Sequence, residues 1–378
     1  MDLTLSDEQQ DFRRTLRSFL AAEAPTDVIR ELDRTETFPA DLYAKMAGLG
    51  LTSMGLPEEY GGTPCSEIDL CIALEEVARV GACLSYALVP TLTFCGRGIA
   101  GYGTPEQKQR YLPGICSGEI RMAMALSEPE VGSDLTHLST RAVRDGDIYV
   151  INGQKVFTTG ADTADYLLAI VRTDPDAPAS KGLSVLIVPR TAEGVTVRPL
   201  PKLAGQATHT CEVYFSDVRV PVENQLGELN AGAKIVFGLL DGERVFVGAQ
   251  CTGIAQGALD LATGYAKERH QFGKPIIEHQ AVGHLLADMA MDVRVARLVT
   301  WEAALLLEQG RPCSTEASVA KVTASEAASR CVSNGMSVLG GYSYMTEFAM
   351  ERYWREVKLY EIAGGTNQIQ RNIIARSL

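Results

Sequence analysis

The sequence predicts an α+β protein of more than one domain, with a helical part, an antiparallel β part and a second helical part in that order. Its 378 residues exceed the length of an ordinary single-core domain. Apolar residues recur every three or four positions up to about residue 117 and again from about residue 226. Between these stretches apolar residues alternate with polar ones. We therefore expect three domains, with the boundaries 1–117, 118–225 and 226–378.

The first part carries clear helix-start signals. Ser6 precedes "DEQQDFRRTLRSFLAAE", which has acidic residues in its first turn, and serine is a good N-cap. The stretch 66–80, "SEIDLCIALEEVARV", places aliphatic residues at helical spacing. Thr104 followed by Pro105 predicts the N-cap and first position of another helix. This part is therefore expected to be helical.

The middle part consists of short alternating runs that predict strands. Asp145–Gly146 and Asn152–Gly153 interrupt the first runs, and both pairs are typical of two-residue hairpin turns. Further alternating runs follow, namely "DYLLAIVRT", "GLSVLIVPR", "VTVRPL" and "CEVYFSDVRV". We expect an antiparallel sheet or small barrel, with residues 172–182 as an exposed loop.

The last part predicts long helices over 231–269, 279–310 and 314–341. Their many glycine, alanine and serine residues indicate close contacts between helices or between subunits.

Composition excludes several classes of protein. A hydrophobic share of 46% and a charged share of 22% are those of a globular protein. The net charge of −12 argues against a nucleic-acid or anionic-membrane surface. The sequence shows neither an apolar run of ~18 residues nor a signal peptide. The nine cysteines lack metal-ligand spacing, so we expect reduced thiols in a cytoplasmic protein rather than a zinc site or a catalytic cysteine.

Three loops invite a functional interpretation. The stretch 96–101, "GRGIAG", has the Gly-x-Gly-x-x-Gly spacing, but it lies in a helical part rather than between a strand and a helix, so we interpret it as a helix end. The stretch 125–134, "ALSEPEVGSD", offers donors for a polar cofactor edge, or is simply a well hydrogen-bonded loop. In 265–280, Arg269 and Lys274 could bind phosphates and Phe272 could stack on a flat ring, although a solvated basic turn is equally compatible.

The long helix 231–269 carries two acidic residues two positions apart. Asp241 has basic residues at helical spacing and belongs to a charged face. Glu243 instead projects from an apolar stripe formed by Val236, Leu239, Leu240, Phe246 and Val247. Burial of an unpaired carboxylate is costly and raises its pKa, as a general base requires. The pattern equally allows an ion pair between Glu243 and a buried arginine of another helix.

A glycine pair, Gly364–Gly365, interrupts a helical pattern near the C-terminus. Either it ends one helix and starts the next, or another group approaches the backbone closely there.

Together these stretches resemble the acyl-CoA dehydrogenase family over essentially the full length. "LSEPEVGSD", "NGQKVFTTG", "ERHQFGKPI", "LGG" and "GGTNQIQR" occur in the family's order and spacing. The resemblance implies an N-terminal helical domain, a middle β-domain and a C-terminal four-helix bundle, assembled as a homotetramer around FAD.

The resemblance also implies roles for individual residues. Along the isoalloxazine ring it places Met124, Leu126, Ser127, Phe157, Thr158 and Thr159, with a threonine hydroxyl near N5. It places a second set of residues on the FAD pyrophosphate and adenosine, and some of these contacts cross a subunit interface. The set is Arg269, Gln271, Phe272, Gln280, Leu339, Gly340 and Gly341. Thr366 and Gln368 match polar contacts to the cofactor. On the substrate side it places Ser133, Asp241, Arg244, Gly364 and Gly365.

This chain departs from the commonest family pattern at the position of the catalytic base. Most members carry a glutamate directly before a Gly-Thr pair, and the matching residue here is Gly364. A minority, resembling isovaleryl-CoA and long-chain acyl-CoA dehydrogenases, supply the glutamate from the long helix, where the matching residue is Glu243. The apolar stripe and the resemblance therefore both predict Glu243 as the catalytic base, and the missing side chain at Gly364 is expected to widen the pocket.

The expected function is FAD-dependent α,β-dehydrogenation of an acyl thioester, carried either by CoA or by an acyl-carrier protein. The expected electron acceptor is an electron-transfer flavoprotein or a similar protein, with no nucleic acid and no membrane as partner. A flavin monooxygenase on the same fold is an alternative that Glu243 on its apolar stripe disfavours. A non-catalytic or partner subunit of a heteromeric family member stays open.

Overall fold

The computed structural model describes residues 4–378, so Met1–Leu3, which belong to the predicted N-terminal domain, lie outside the described residues. The first part is helical. Ser6 and Thr104 each cap a helix, as predicted, and Ser66 caps a third; all three form a capping box. A π-helical segment, Pro90–Gly96, joins two of the helices. The helices are α1 (Asp7–Glu23), α2 (Thr26–Thr35), α3 (Ala40–Gly48), α4 (Glu67–Val80), α5 (Ala82–Val89), α6 (Arg97–Tyr102) and α7 (Pro105–Ser117).

The middle part forms one sheet. Its strands are β1 (Met122–Ala125), β2 (Arg141–Asp145), β3 (Ile148–Thr159), β4 (Tyr166–Arg172), β5 (Leu183–Pro189), β6 (Val195–Leu200), β7 (Thr210–Pro221) and β8 (Gln225–Leu226). Their order in the sheet is β6-β7-β3-β2-β4-β5-β8, and β1 pairs with β4. The sheet is antiparallel as predicted, except that β1 and one residue of β2 pair parallel to β4.

One of the two predicted hairpins is wrong. The turn at Asp145–Gly146 does join β2 to β3, with Gly146 in the left-handed region. Asn152–Gly153, however, lies inside β3, where the pairing with β7 shifts register between Ile151 and Gly153. A Cβ on Gly153 would lie 2.6 Å from the Thr140 hydroxyl. The glycine therefore allows a bulge and a close side-chain approach rather than a chain reversal.

The last part contains α8 (Gly232–Glu268), α9 (Gln280–Glu308), α10 (Ser314–Leu339), α11 (Ala349–Ile362) and α12 (Asn367–Arg376), with a small hairpin of β9 (His270–Gln271) and β10 (Lys274–Pro275) after α8. Helix α8 also packs on α4 through its glycines. A Cβ on Gly253 would lie 2.1 Å from the carbonyl oxygen of Glu75, so only glycine allows this approach. The small residues thus explain how the first and last parts join along α8. Within residues 4–378, no helix has the length and apolarity that crossing a membrane requires.

Candidate active site

Glu243 lies on α8 with a side chain that is almost completely buried. The residue is 7% exposed, and its Oε2 accepts a hydrogen bond of 3.0 Å from the Thr93 hydroxyl. Burial raises the pKa of Glu243 to about 8, against a smaller lowering by the Thr93 hydrogen bond. Among the described residues, Glu243 forms no ion pair, so the alternative of an interhelical pair with arginine is not realised. The result is a buried carboxyl that can accept a proton near neutral pH.

The π segment Pro90–Gly96 connects this carboxyl to the sheet. Thr93 of the segment contacts Glu243, and Thr91 hydrogen-bonds both backbone groups of Met122 on β1, at 3.0 Å to its carbonyl and 2.9 Å from its N–H. Thr91 and Thr93, two positions apart, therefore link Glu243 to β1.

The residues expected along a flavin ring meet at the edge of β1 and β3. The Val156 N–H donates to the Ser127 carbonyl at 2.9 Å, which holds the chain after β1 against β3. On the accessible side lie Met124, Leu126, Ser127, Phe157 and Thr159. Thr158 differs, because its side chain is buried and its hydroxyl has no partner among the described residues. The adjacent Thr159, which is partly exposed, is therefore the threonine that can face a ligand.

Phe157 has an unusual conformation and exposure. It lies in the left-handed region with a φ of 58°, and it is 69% exposed. A large aromatic residue in a strained backbone conformation on the surface is costly. The arrangement therefore fits a flat ring that covers Phe157 when bound.

The loop after β1 is held by a buried ion pair that the sequence did not reveal. Lys155 donates to Glu128 at 2.9 Å and to the Leu126 carbonyl at 3.0 Å. Glu128 also accepts hydrogen bonds from Ser139 and from the Thr140 N–H. Burial alone would raise the pKa of Glu128, but Lys155 and Ser139 outweigh it and lower that pKa to about 2. Glu128 is therefore structural, whereas Ser133 lies exposed farther along the loop.

The glycine pair forms the turn between α11 and α12. Both glycines lie in the left-handed region, and Gln370 donates to the carbonyl oxygens of Gly364 and Gly365 at 3.0 Å each. A Cβ on Gly364 would lie 3.6 Å from Val247, which is one helical turn from Glu243 on α8. The Thr366 hydroxyl caps α12 by accepting a hydrogen bond from the Ile369 N–H. Gln368, in the first turn of α12, is exposed.

Behind this turn lies a second buried group that the sequence did not indicate. Lys321 of α10 donates to Asn367 at 2.9 Å, and Ser325 donates to the same side-chain oxygen at 3.2 Å. Burial lowers the pKa of Lys321 to about 8. Lys321 and Asn367 are 46 residues apart, so no local pattern could have paired them.

A second set of predicted residues lines a cavity of about 450 Å³ at the far end of α8. The cavity is lined by the predicted Arg269, Gln271, Leu339, Gly340 and Gly341, together with Tyr265 and Tyr342. Nearby, Phe272 is 93% exposed with a φ of 52°, and Gln280 is exposed at the start of α9. Arg269 follows α8 directly, 26 residues after Glu243, which corresponds to ~39 Å along a helix.

Asp241 and Arg244 contact each other rather than Glu243. Arg244 pairs with Asp241 on α8 and lies 3.3 Å from the Ser314 hydroxyl at the start of α10. Burial lowers the pKa of Arg244, which Asp241 partly offsets. The pair thus links α8 to α10, next to the base.

Comparisons with known proteins agree with this architecture. The sequence family described as "Acyl-CoA dehydrogenase, N-terminal domain" matches residues 6–119, the middle-domain family matches 123–218 and the C-terminal-domain family matches 230–378. "Probable acyl-CoA dehydrogenase YngJ" of Bacillus subtilis is 38% identical, with 100% of both chains covered. "Caffeyl-CoA reductase-Etf complex subunit CarC" of Acetobacterium woodii is 36% identical, covering 99% of this chain and 98% of that protein.

A solved structure of glutaryl-coenzyme A dehydrogenase in complex with glutaryl-CoA has a TM-score of 0.96 and 35% identity, covering 99% of this chain and 96% of that one. The chain therefore belongs to the acyl-CoA dehydrogenase family, whose members are flavoprotein oxidoreductases. The predicted order of helical, β and helical parts is that family's fold.

Proposed function

We propose that this chain binds FAD and dehydrogenates an acyl thioester between the α- and β-carbons, with Glu243 removing the α-proton. The observation that carries the proposal is Glu243 itself, a buried carboxyl without an ionic partner among the described residues. It is bonded to the π segment that is attached to β1, and it lies one helical turn from Val247, which faces Gly364. Because burial raises its pKa to about 8, Glu243 can both take and return a proton near neutral pH.

The accessible side of β1 and β3 supports FAD as the cofactor. Phe157 offers an exposed aromatic face, and Thr159 offers a hydroxyl on the same side of β3. FAD, when bound, supplies the acceptor for the β-hydrogen as hydride. This chain's residues orient the ring, exclude water from the buried carboxyl and move the α-proton to Glu243.

The two groups of predicted cofactor residues support an oligomer. The cavity with Arg269 lies ~39 Å along α8 from Glu243, so the two groups of residues are far apart on one chain. We therefore propose that this cavity receives the adenosine end of an FAD molecule whose flavin ring lies on another copy of the chain. A homotetramer, as the family resemblance implies, provides such a neighbour.

The proposed substrate is an acyl thioester of CoA or of an acyl-carrier protein, and the proposed acceptor is an electron-transfer flavoprotein. Ser133 on the exposed loop and the Asp241–Arg244 pair are the proposed substrate-side contacts. Anaerobic mixing of the flavin-loaded protein with both kinds of thioester tests the proposal. Bleaching of the flavin is expected with at least one of them.

The second-order rate constant of flavin reduction by thioester is expected to rise with pH and to level off above an apparent pKa near 8. The reason is that only the ionised form of Glu243 can take the α-proton, and burial disfavours that form. Stopped-flow measurements between pH 6 and 9, a window of about three units around the expected midpoint, check this. A rate that falls over this range would contradict Glu243 as the base.

Ionisation of Glu243 is expected to speed flavin reduction but to lower the stability of the folded protein. Because the pKa of Glu243 is raised in the folded state, its contribution to stability is full below pH 4.5 and is lost as the pH rises through about 8. Glu243→Gln removes this dependence, so its melting temperature should fall less than that of the wild type between these pH values.

Gly364 offers a test of the size of the acyl pocket. Gly364→Glu is expected to shift the preference toward smaller acyl groups, because the new side chain extends beside Val247 on α8. The matched control is Gly364→Ala, which imposes the same strain of about 1–2 kcal/mol at a φ of 65° without the added bulk. A panel of thioesters of increasing size measures the preference. If the two variants and the wild type share one preference, the glycine does not widen the pocket.

A further inference from the structure

The Thr93 hydroxyl has two acceptors but only one hydrogen. Its Oγ lies 2.8 Å from the Val89 carbonyl oxygen and 3.0 Å from Glu243 Oε2. Thr93 is 3% exposed, so its hydroxyl is shielded from bulk water. Since a hydroxyl donates one hydrogen bond at a time, the two acceptors compete for the same hydrogen.

The charge of Glu243 decides this competition. An ionised carboxylate is a stronger acceptor than a backbone carbonyl, whereas a neutral carboxylic acid loses that advantage. We propose that Thr93 is a positioning residue for the base, whose hydroxyl hydrogen bonds Glu243 while the carboxylate is ionised and turns to the Val89 carbonyl once Glu243 is protonated. This inference rests on the proposed function, because it assigns a role to Thr93 in the reaction of that same base.

The geometry leaves one oxygen of Glu243 for the substrate. Thr93 bonds Oε2, while Oε1 has no hydrogen-bond partner among the described residues. The α C–H bond breaks as an O–H bond forms on Oε1, and the electron pair of the C–H bond remains on the substrate until the β-hydrogen leaves as hydride. Thr93 keeps its own hydrogen throughout and only reorients it. The hydroxyl thus stabilises the reactive, ionised form of the base.

The local backbone holds Thr93 in place for this role. The π segment widens the helix between α5 and α6, a distortion that often marks functional sites. Thr91 of the same segment is bonded to both backbone groups of Met122 on β1. These hydrogen bonds anchor the segment that carries Thr93 to the sheet.

Charged groups on the surrounding elements are bound elsewhere, so the hydroxyl is the specific polar partner of Glu243. On the described residues of these elements the contacts include Asp241 with Arg244 on α8, Arg97 of α6 with Glu67 of α4, Arg297 of α9 with Glu75 of α4, Glu76 and Arg79 on α4, Arg79 with Asp260 of α8, Lys321 of α10 with Asn367 of α12, Arg352 with Glu356 on α11, and Lys358 with Glu361 on α11. Removal of the Thr93 hydroxyl should therefore change the ionisation of Glu243 without a compensating charge.

The experiment compares Thr93→Val with Thr93→Ser in the flavin-loaded protein. Thr93→Val should raise the midpoint of the pH profile of flavin reduction by about one unit, which lowers the rate below the midpoint about tenfold. Thr93→Ser retains the hydroxyl and should restore the wild-type midpoint. The matched control is Thr252→Val, since Thr252 is also buried and donates to a carbonyl one turn earlier, that of Gly248 at 2.8 Å, but has no carboxylate partner. Should Thr93→Val fail to fold, Thr93→Ala carries the same expectation.

A second readout needs no substrate. The infrared carbonyl band of protonated Glu243, identified as the band that Glu243→Gln lacks, is followed against pH in the wild type and in each Thr93 variant. A midpoint raised in Thr93→Val but not in Thr252→Val supports the proposal, even if no thioester bleaches the flavin and the proposed function fails. An unchanged midpoint in Thr93→Val overturns the role of Thr93, even if thioesters bleach the flavin and the proposed function stands.

Discussion

Glu243→Gln is expected to lower the rate of flavin reduction by an acyl thioester by about 10²–10⁴-fold, the usual contribution of a positioned general base. Glutamine keeps the size of the side chain and can still accept the hydrogen bond from Thr93, but it cannot take the α-proton. Since the pKa of Glu243 is raised by burial, the neutral amide should also be tolerated well in the fold. The flavin content and melting temperature should therefore be close to those of the wild type or above them.

The chain offers a matched control for this variant. Glu356 on α11 is also fully buried, and burial raises its pKa to about 7. It accepts a hydrogen bond from the Ala82 N–H and lies close to Arg352, and it is not among the residues proposed to contact flavin or substrate. Glu356→Gln should leave flavin reduction within about threefold of the wild type, whereas equal losses in both variants would mean that a general loss of packing, not proton transfer, explains the result.

Lys155→Met is expected to lower the free energy of unfolding by about 3–5 kcal/mol. The change leaves the buried carboxylate of Glu128 without its ammonium partner and the Leu126 carbonyl without its donor. Because Leu126 and Ser127 follow β1 at the proposed flavin face, flavin affinity should fall as well. Denaturant titration and measurement of bound flavin check the two effects.

The double variant Lys155→Met/Glu128→Gln separates the pair from general packing. It removes both charges and should recover part of the lost stability, and the difference from the sum of the single variants gives the coupling free energy. The pKa of Glu128 is lowered to about 2, so its contribution to stability is present above pH 4.5 and is lost as the pH falls toward 2. A stability loss below about 1 kcal/mol in Lys155→Met would contradict a structural role for the pair.

The features that could be predicted from the sequence are those that depend on residues close together in the chain. The caps at Ser6 and Thr104 could be predicted because capping depends on residues only three positions apart. Glu243 was predicted to be buried because its apolar neighbours lie on the same face of one helix. Gly153 was misassigned because the Asn-Gly pair is equally compatible with a bulge, and only the pairing of β3 with β7 distinguishes the two.

The residues that sequence reasoning missed act through contacts between distant elements. Thr93 is separated from Glu243 by 150 residues and lies in an apolar segment whose π-helical geometry has no sequence signature. In the sequence, Lys321 and Asn367 are indistinguishable from ordinary helix residues. Only the packing of α10 against α12 brings the two side chains into contact. Likewise, Lys155 follows an Asn-Gly-Gln run as if it were a surface residue, yet it is buried against Glu128.

The most direct test of Glu243 as the base of a flavin-dependent dehydrogenase is a single-turnover experiment without oxygen. The flavin-loaded wild type and Glu243→Gln are mixed in parallel with acyl-CoA and acyl-carrier thioesters, and the flavin absorbance is followed. We predict that at least one thioester bleaches the wild-type flavin rapidly, and that Glu243→Gln remains oxidised on the same time scale. Rapid bleaching of Glu243→Gln, or a flavin-loaded wild type that no thioester reduces, would contradict the assignment.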